Sequence, residues 1–196
     1  MSENIHTNKP LIYTIGDSHC WHCWMHIPYV STNTGGAMTM YSFGLNKKVV
    51  VDKFPKDAII VICLGEIDCR CYINKYQPWE ETVDRIAKNY LEAVDLNAQV
   101  NPNIWLFNVV PPPHKAKAQE NQSMPYVGTD EERLSYVKRI NQRLKESKYV
   151  FIDIYDQYCD KDGFMIPEKS DNCVHIFDKV PLQNWLEKKL KEVGKL

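Results

Sequence analysis

Short runs of apolar residues recur along the chain, and most are rich in β-branched side chains. Runs of this kind predict strands that are buried in the middle of a sheet. Four such strands are predicted, at residues 10–16, 57–64, 103–110 and 149–155. The run at 57–64 is the most apolar of them, and we expect it to form a central parallel strand.

Amphipathic segments separate these runs. Residues 79–94 carry apolar side chains at the three- and four-residue spacing of one helix face. A second helix is predicted after the capping box Thr129-Asp130-Glu131-Glu132, and a third from about Pro181. Strands that alternate with such helices predict an α/β fold, a three-layer α/β/α sandwich around a central, mostly parallel sheet.

Two other stretches carry weaker patterns. Residues 37–44 alternate between apolar and polar side chains, which predicts a short strand that ends at Gly44. A glycine at a strand end can offer its N–H group to a ligand, although an ordinary turn glycine is the alternative. Residues 114–128 are polar and irregular, as in a binding loop, a lid or a mobile connection.

Length and charge narrow the class of protein. The chain has 196 residues, which we expect to form one domain over 1–196 with 1–9 as a loose polar leader. A formal net charge of −1 gives no general attraction to nucleic acid or to membranes, so neither is expected as a partner. The chain has no apolar signal core and no window as long as a membrane span, so we expect a cytoplasmic location. Seven cysteines then indicate free thiols.

The first predicted strand ends in Gly16-Asp17-Ser18. Gly16 permits a sharp turn, and Asp17 and Ser18 are residue types that begin helices. A serine at this junction points to the crevice at the carboxyl end of the strand, where α/β sheets bind ligands. The start of a helix also supplies N–H groups for a developing oxyanion. The plainer alternative is a turn followed by a helix cap.

The segment His19-Cys20-Trp21-His22-Cys23-Trp24-Met25-His26 contains a Cys-x-x-Cys and three histidines. Thiolates and imidazoles are zinc ligands, and a Cys-x-x-Cys can also be a redox pair. Zinc modules normally need a second ligand pair further along the chain, which this sequence lacks. We therefore expect neither a metal nor another cofactor here, but a helix that lines a pocket or the core.

The run Gly65-Glu66-Ile67-Asp68-Cys69-Arg70 follows the most apolar strand. Charged residues at the carboxyl end of a buried strand lie where functional groups collect, so Glu66, Asp68 and Arg70 are candidates for the site. The alternative is that Arg70 pairs with one of these carboxylates and braces a loop.

Together with Asp171-Asn172-Cys173-Val174-His175 before the last helix, these segments resemble the SGNH (GDSL-type) hydrolase superfamily. The resemblance covers essentially the whole chain and implies a flavodoxin-like sheet. It makes Ser18 the nucleophile, His175 the base and Asp171 the acid that orients this base. The glycine of the second family block maps to Gly44. A serine hydroxyl is a weak nucleophile that needs such a base, so the residue types agree with these roles.

The sequence departs from the family pattern in two places. Ile67 replaces an asparagine that helps to bind the oxyanion, and a subset of the superfamily shares the resulting Gly-Glu-Ile-Asp-x-Arg block. Arg70 is the candidate to replace the missing donor or to bind a substrate anion. The acid of the last block lies four residues before His175, with Asn172 three before it, and we favour Asp171 over Asn172 because a carboxylate stabilises an imidazolium.

The resemblance implies a serine esterase that needs no cofactor, with O-acetyl groups on a sugar or glycan as the expected ester substrate. Backbone N–H groups of Ser18 and Gly44, helped by Arg70, would hold the oxyanion, and Asp17, Glu66 and Asp68 would line the site. Aromatic groups for a sugar ring could come from Trp21, Trp24, Tyr41 and the 113–128 loop, unless they are core. The alternatives are an acyltransferase to a sugar hydroxyl and an inactive glycan-binding module.

Overall fold

A computed structural model describes residues 10–34, 38–119 and 122–196 of the chain. Five parallel strands form its central sheet: β1 (Ile12–Gly16), β2 (Val30–Thr34), β3 (Ile59–Cys63), β4 (Ile104–Phe107) and β5 (Val150–Ile152). Their order across the sheet is β2-β1-β3-β4-β5. The carboxyl ends of neighbouring strands meet at one edge, where Gly16 of β1 pairs with Cys63 of β3.

Helices cover both faces of this sheet, and the three-layer α/β/α prediction is confirmed. They are α1 (His19–His22), α2 (Met40–Asn46), α3 (Trp79–Ala98), α4 (Asp130–Lys145) and α5 (Val180–Glu192). Side chains of α2, α3 and α4 pack on one face, and those of α1 and α5 on the other. All five residues of β3 are buried because alternate side chains enter the two cores. A strand buried on both faces reads as a continuous apolar run.

The predicted strand at 37–44 is wrong. Its second half belongs to α2, which Thr39 and Ser42 start with a capping box, and β2 had not been predicted. Met40 and Phe43, three residues apart, face the core, so the apolar positions fit a helix face as well as a strand. Residue 37 itself and the predicted leader at 1–9 lie outside the described residues.

Gly44 lies inside α2 rather than at a strand end. A Cβ placed on it would lie 2.7 Å from the backbone nitrogen of Tyr90 and 2.8 Å from the carbonyl carbon of Asn89. Glycine is needed here because α2 and α3 approach backbone to backbone. Among the described residues, no helix combines the length and the apolar character that crossing a membrane requires.

Candidate active site

Ser18 lies directly after the turn that ends β1. Gly16 makes this turn at φ +143°, and a Cβ on it would lie 1.9 Å from the carbonyl oxygen of Cys63. Ser18 is the N-cap residue of α1, but its hydroxyl caps no helix amide. Within the described part of the chain, the Ser18 N–H group also donates to no acceptor. The hydroxyl is therefore free of a capping role, and the N–H group is available to a ligand at the carboxyl edge of the sheet.

His175 and Asp171 meet Ser18 at this edge. Ser18 Oγ lies 2.8 Å from His175 Nε2, although the two residues are 157 positions apart in the chain. His175 Nδ1 lies 2.6 Å from Asp171 Oδ2. The structure thus brings the three residues predicted to be catalytic into one serine–histidine–aspartate relay, the arrangement that activates a serine hydroxyl.

A compact loop holds Asp171 against His175. Asp171 Oδ1 accepts hydrogen bonds from the backbone N–H groups of Cys173 (2.9 Å) and His175 (3.1 Å). Asn172 adopts φ +63°, and its carbonyl accepts a hydrogen bond from the Gln119 N–H group. The imidazole is therefore oriented by Asp171 and not by Asn172.

The protonation states suit a general base. Burial lowers the pKa of His175 from its ordinary value, although the hydrogen bond that its ring donates to Asp171 acts in the opposite direction. Burial would raise the pKa of Asp171, but its bonds with His175 and the loop amides outweigh this and lower it to about 2. Near neutral pH the imidazole is therefore neutral and the carboxylate charged, as a serine nucleophile requires.

Asp17 forms a second pair, with His19. Asp17 Oδ1 lies 3.0 Å from His19 Nδ1 and accepts the His19 backbone N–H group at 2.8 Å. His19 Nε2 lies 3.1 Å from the carbonyl oxygen of Val174, the residue before His175. Both side chains are almost completely buried. His19 therefore connects Asp17 to the segment that carries His175.

Glu66 and Arg70 form a buried pair. Arg70 Nε and Nη2 donate to the two Glu66 carboxylate oxygens, and Nη1 donates to the carbonyl oxygen of Met124 at 2.6 Å. The Arg70 carbonyl accepts the Val127 N–H group at 2.9 Å. In the described part of the chain, the guanidinium makes no hydrogen bond to Ser18 or His175. Its contacts are those of a brace between two loops.

Asp68 belongs to a π-helical turn, Asp68–Tyr72, and caps α2. Its two oxygens accept the N–H groups of Met40 (2.7 Å) and Tyr41 (3.1 Å). Burial raises the pKa of this fully buried carboxyl to about 7, against the effect of these bonds. Gly44 and Asp68 are both predicted from the sequence to contribute to the site. In the structure, Gly44 is part of α2, and Asp68 bonds to the first N–H groups of α2. The Gly44 N–H group lies in the helix interior, where amides bond to the helix itself.

His22 is a neighbour of the base that the sequence analysis did not single out. Its ring stacks on His175, with centroids 4.2 Å apart and planes 23° from parallel. Trp21, which is 41% exposed, contacts the His22 ring edge-on at 4.5 Å. The histidine-rich segment 19–26 was the sequence signal that could have identified His22, because residues just after the Gly16–Ser18 turn face the same edge of the sheet. Trp24, in contrast, is fully buried and contacts Phe107, so it offers no surface to a sugar.

Cys20 and Cys23 lie in the core on the α1 side of the sheet as buried thiols that belong to no disulfide. Burial raises the pKa of Cys23 to about 12, so it is not a thiolate at neutral pH. Among the described residues, the side chains that cluster as potential metal ligands are His22, Asp171 and His175, with no cysteine. The zinc and redox interpretations of the Cys-x-x-Cys have no geometric support.

A cavity of about 430 Å³ opens on the face that carries α2 and α3. The exposed rings of Tyr41, Tyr72 and Tyr76 line it, together with Arg85 and the buried Asp68. The side chain of Arg85 forms no ion pair or hydrogen bond within the described residues. This cavity combines flat rings with a cation, and the sequence analysis named only Tyr41 among these aromatic groups.

Solved structures of GDSL-type and other ester hydrolases share this fold. A GDSL-like lipase from Bacteroides thetaiotaomicron is 16% identical, over 98% of this chain and 93% of that chain, with a TM-score of 0.63. An aryl esterase from M. smegmatis is 14% identical, over 94% and 98%, with a TM-score of 0.56. A catalytic mutant of an acetylxylan esterase from Geobacillus stearothermophilus is 14% identical, over 93% of each chain, with a TM-score of 0.52. No protein-family model and no curated protein matches the sequence.

Proposed function

We propose that this protein is a serine esterase that removes O-acetyl groups from a sugar or glycan. The observation that carries the proposal is the hydrogen-bonded relay from Ser18 through His175 to Asp171. A hydroxyl, a neutral imidazole and an ionised carboxylate in this order are the groups that acyl transfer to a serine requires.

Each residue then has one role in the reaction. His175 Nε2 accepts the hydroxyl proton as Ser18 Oγ attacks the ester carbonyl, and Asp171 stabilises the imidazolium that forms. The free N–H group of Ser18 donates to the oxyanion of the tetrahedral intermediate. His175 then gives its proton to the leaving alcohol, and water hydrolyses the acyl-enzyme by the same steps in reverse order.

The sugar part of the proposal is supported by exposed aromatic side chains in two places. Trp21 is exposed next to the His22–His175 stack, and Tyr41, Tyr72 and Tyr76 line the cavity beside α2. Flat aromatic faces pack on the apolar faces of sugar rings and lose little conformational entropy when they do so. One of the structures with the same fold is an acetylxylan esterase, and we propose the related chemistry of a sugar acetate for this chain.

The test uses the purified full chain, p-nitrophenyl acetate and an acetylated oligosaccharide. We expect hydrolysis of both esters and covalent labelling by a fluorophosphonate. Ser18→Ala should abolish the labelling and lower turnover on the order of 10⁶-fold. Ser135→Ala serves as the matched control and should retain activity, because the Ser135 hydroxyl is exposed on α4 and donates to the Glu131 carbonyl oxygen. Activity that survives in Ser18→Ala would eliminate the proposal. Acetyl groups found on an added sugar, instead of free acetate, would identify the transferase alternative.

A further inference from the structure

His22, Asp171 and His175 form a cluster of potential metal ligands. Two of these residues, Asp171 and His175, also belong to the relay. Each of the three residues offers one ligand atom, and the three atoms lie within 4.8 Å of one another. They come from α1 and from the loop before α5. Two imidazoles and one carboxylate are a donor set that zinc uses, with the fourth position left to water.

The groups are accessible to a cation. The Asp171 side chain is 30% exposed, so an ion can reach the cluster from solvent. In the described part of the chain, the His22 ring makes ring contacts but no side-chain hydrogen bond, so its nitrogens are available.

The distances between the three ligand atoms are close to those around a bound zinc ion. Zinc holds nitrogen and oxygen ligands at about 2.0–2.2 Å, so that two ligands of a tetrahedral ion lie about 3.3 Å apart. Ligand atoms within 4.8 Å therefore have to close by at most about 1.5 Å, and the His22 ring can turn because no hydrogen bond holds it.

We propose that His22, Asp171 and His175 bind Zn²⁺ and that the ion reversibly inhibits the esterase. This inference rests on the proposed function, because the inhibited reaction is the one assigned to Ser18. An ion on His175 and Asp171 occupies the base and its partner, so the imidazole no longer accepts the serine proton. His22 is the ligand that the catalytic relay does not use, and it makes the cluster a zinc site instead of a plain histidine–aspartate pair.

The experiment measures binding and inhibition separately, with Zn²⁺ alone as the probe. Calorimetric titration of the Ser18→Ala chain should give one zinc ion per chain, because this variant keeps all three ligands. His22→Phe keeps a ring against His175 but removes the ligand nitrogens, and should weaken binding by at least about 10- to 100-fold. In the active chain, the same substitution should raise the inhibition constant for zinc by a similar factor, relative to its own rate without zinc.

His114→Phe is the matched control. His114 also pairs with an aspartate, since its Nδ1 lies 2.9 Å from Asp130 Oδ2, and it also stacks on an aromatic ring, that of Phe164. In the described part of the chain, His114 and Asp130 have no third potential metal ligand beside them. The His114→Phe variant should therefore bind zinc as the parent chain does.

Zinc binding that His22→Phe leaves unchanged would overturn the inference, as would binding without inhibition or no binding by Ser18→Ala. A chain without esterase activity that still binds zinc through His22 would keep the metal site and reject the proposed function. Near-UV circular dichroism of each variant checks that a lost site is not a lost fold.

Discussion

Two histidine–aspartate pairs lie side by side at the carboxyl edge of the sheet, with the rings of His19 and His175 4.6 Å apart. In both pairs an Nδ1 atom faces a carboxylate oxygen. They differ in what the other nitrogen meets. His19 Nε2 faces the Val174 carbonyl oxygen, which can only accept, whereas His175 Nε2 faces the Ser18 hydroxyl, which can also donate.

This difference separates a structural pair from the pair that we propose to be reactive. With an acceptor at each nitrogen, His19 is stabilised as the imidazolium, and Asp17 raises its pKa although burial acts to lower it. Burial prevails at His175 and lowers its pKa. The same two residue types thus favour the protonated imidazole in one place and the neutral imidazole in the other, because partners and not residue identity set the protonation state.

The largest effect that separates the pairs comes from replacing each histidine. His175→Asn should lower turnover of p-nitrophenyl acetate on the order of 10⁶-fold with little change in thermal stability, because it removes the proposed general base. His19→Asn should keep the relay and most of the turnover, but lose about 1–3 kcal/mol of unfolding free energy, because buried acceptors lose their donors. Kinetics and urea unfolding measure the two effects. Equal losses of turnover in both variants would show that the pairs act as one unit.

The next effect comes from Asp171→Asn, which should lower turnover on the order of 10⁴-fold. In the parent chain the acidic limb of kcat/KM should have its midpoint below 6.5, since the pKa of His175 is lowered. Asp171 acts to raise that pKa, so its removal should move the midpoint to lower pH. A pH profile of the residual activity tests this. A midpoint that moves upward would contradict the assigned electrostatics.

The smallest effect is a pH-dependent change of stability in Asp17→Asn. The folded-state pKa of His19 is raised above 6.5, so the stability that the pair contributes is fully present below pH 6.5 and is lost as the pH rises through the folded-state value. The variant should therefore be less stable than the parent by about 1–3 kcal/mol near pH 5, and by less near pH 9. Urea unfolding at both values measures the difference. A deficit that grows with pH would have the wrong sign.

The same contrast appears at the loop after β3. In the sequence, Glu66, Asp68 and Arg70 are candidates for the site as much as Asp171 is. In the structure, Glu66 and Arg70 bond to each other, Arg70 also bonds to the 122–128 loop, and Asp68 accepts N–H groups of α2. The alternative of a Glu–Arg brace describes Glu66 and Arg70 better than an oxyanion role. Sequence patterns identify charged residues at a strand end, but they do not say which partners arrive from elsewhere in the chain.

The strands and longer helices were predictable because their signals are local. A buried parallel strand needs a continuous apolar run, and a long helix repeats its apolar face over several turns. The short elements were not predictable. β2 is polar in part, and the apolar positions of α2 fit both the two-residue repeat of a strand and the three- to four-residue repeat of a helix. The error at Gly44 followed from this, because a glycine that ends a strand and one that admits a neighbouring helix look alike in sequence.

Local chemistry decides which residues of this chain are able to react: a serine after a strand-ending glycine, and an aspartate four residues before a histidine. Whether they react depends on contacts between segments 157 positions apart, and on which acceptor each imidazole nitrogen finds. These contacts exist only after the sheet has brought the ends of its strands to one edge. Solvation and hydrogen-bond partners there set the pKa of each imidazole, which is why His175 and His19, the same residue type, serve different purposes.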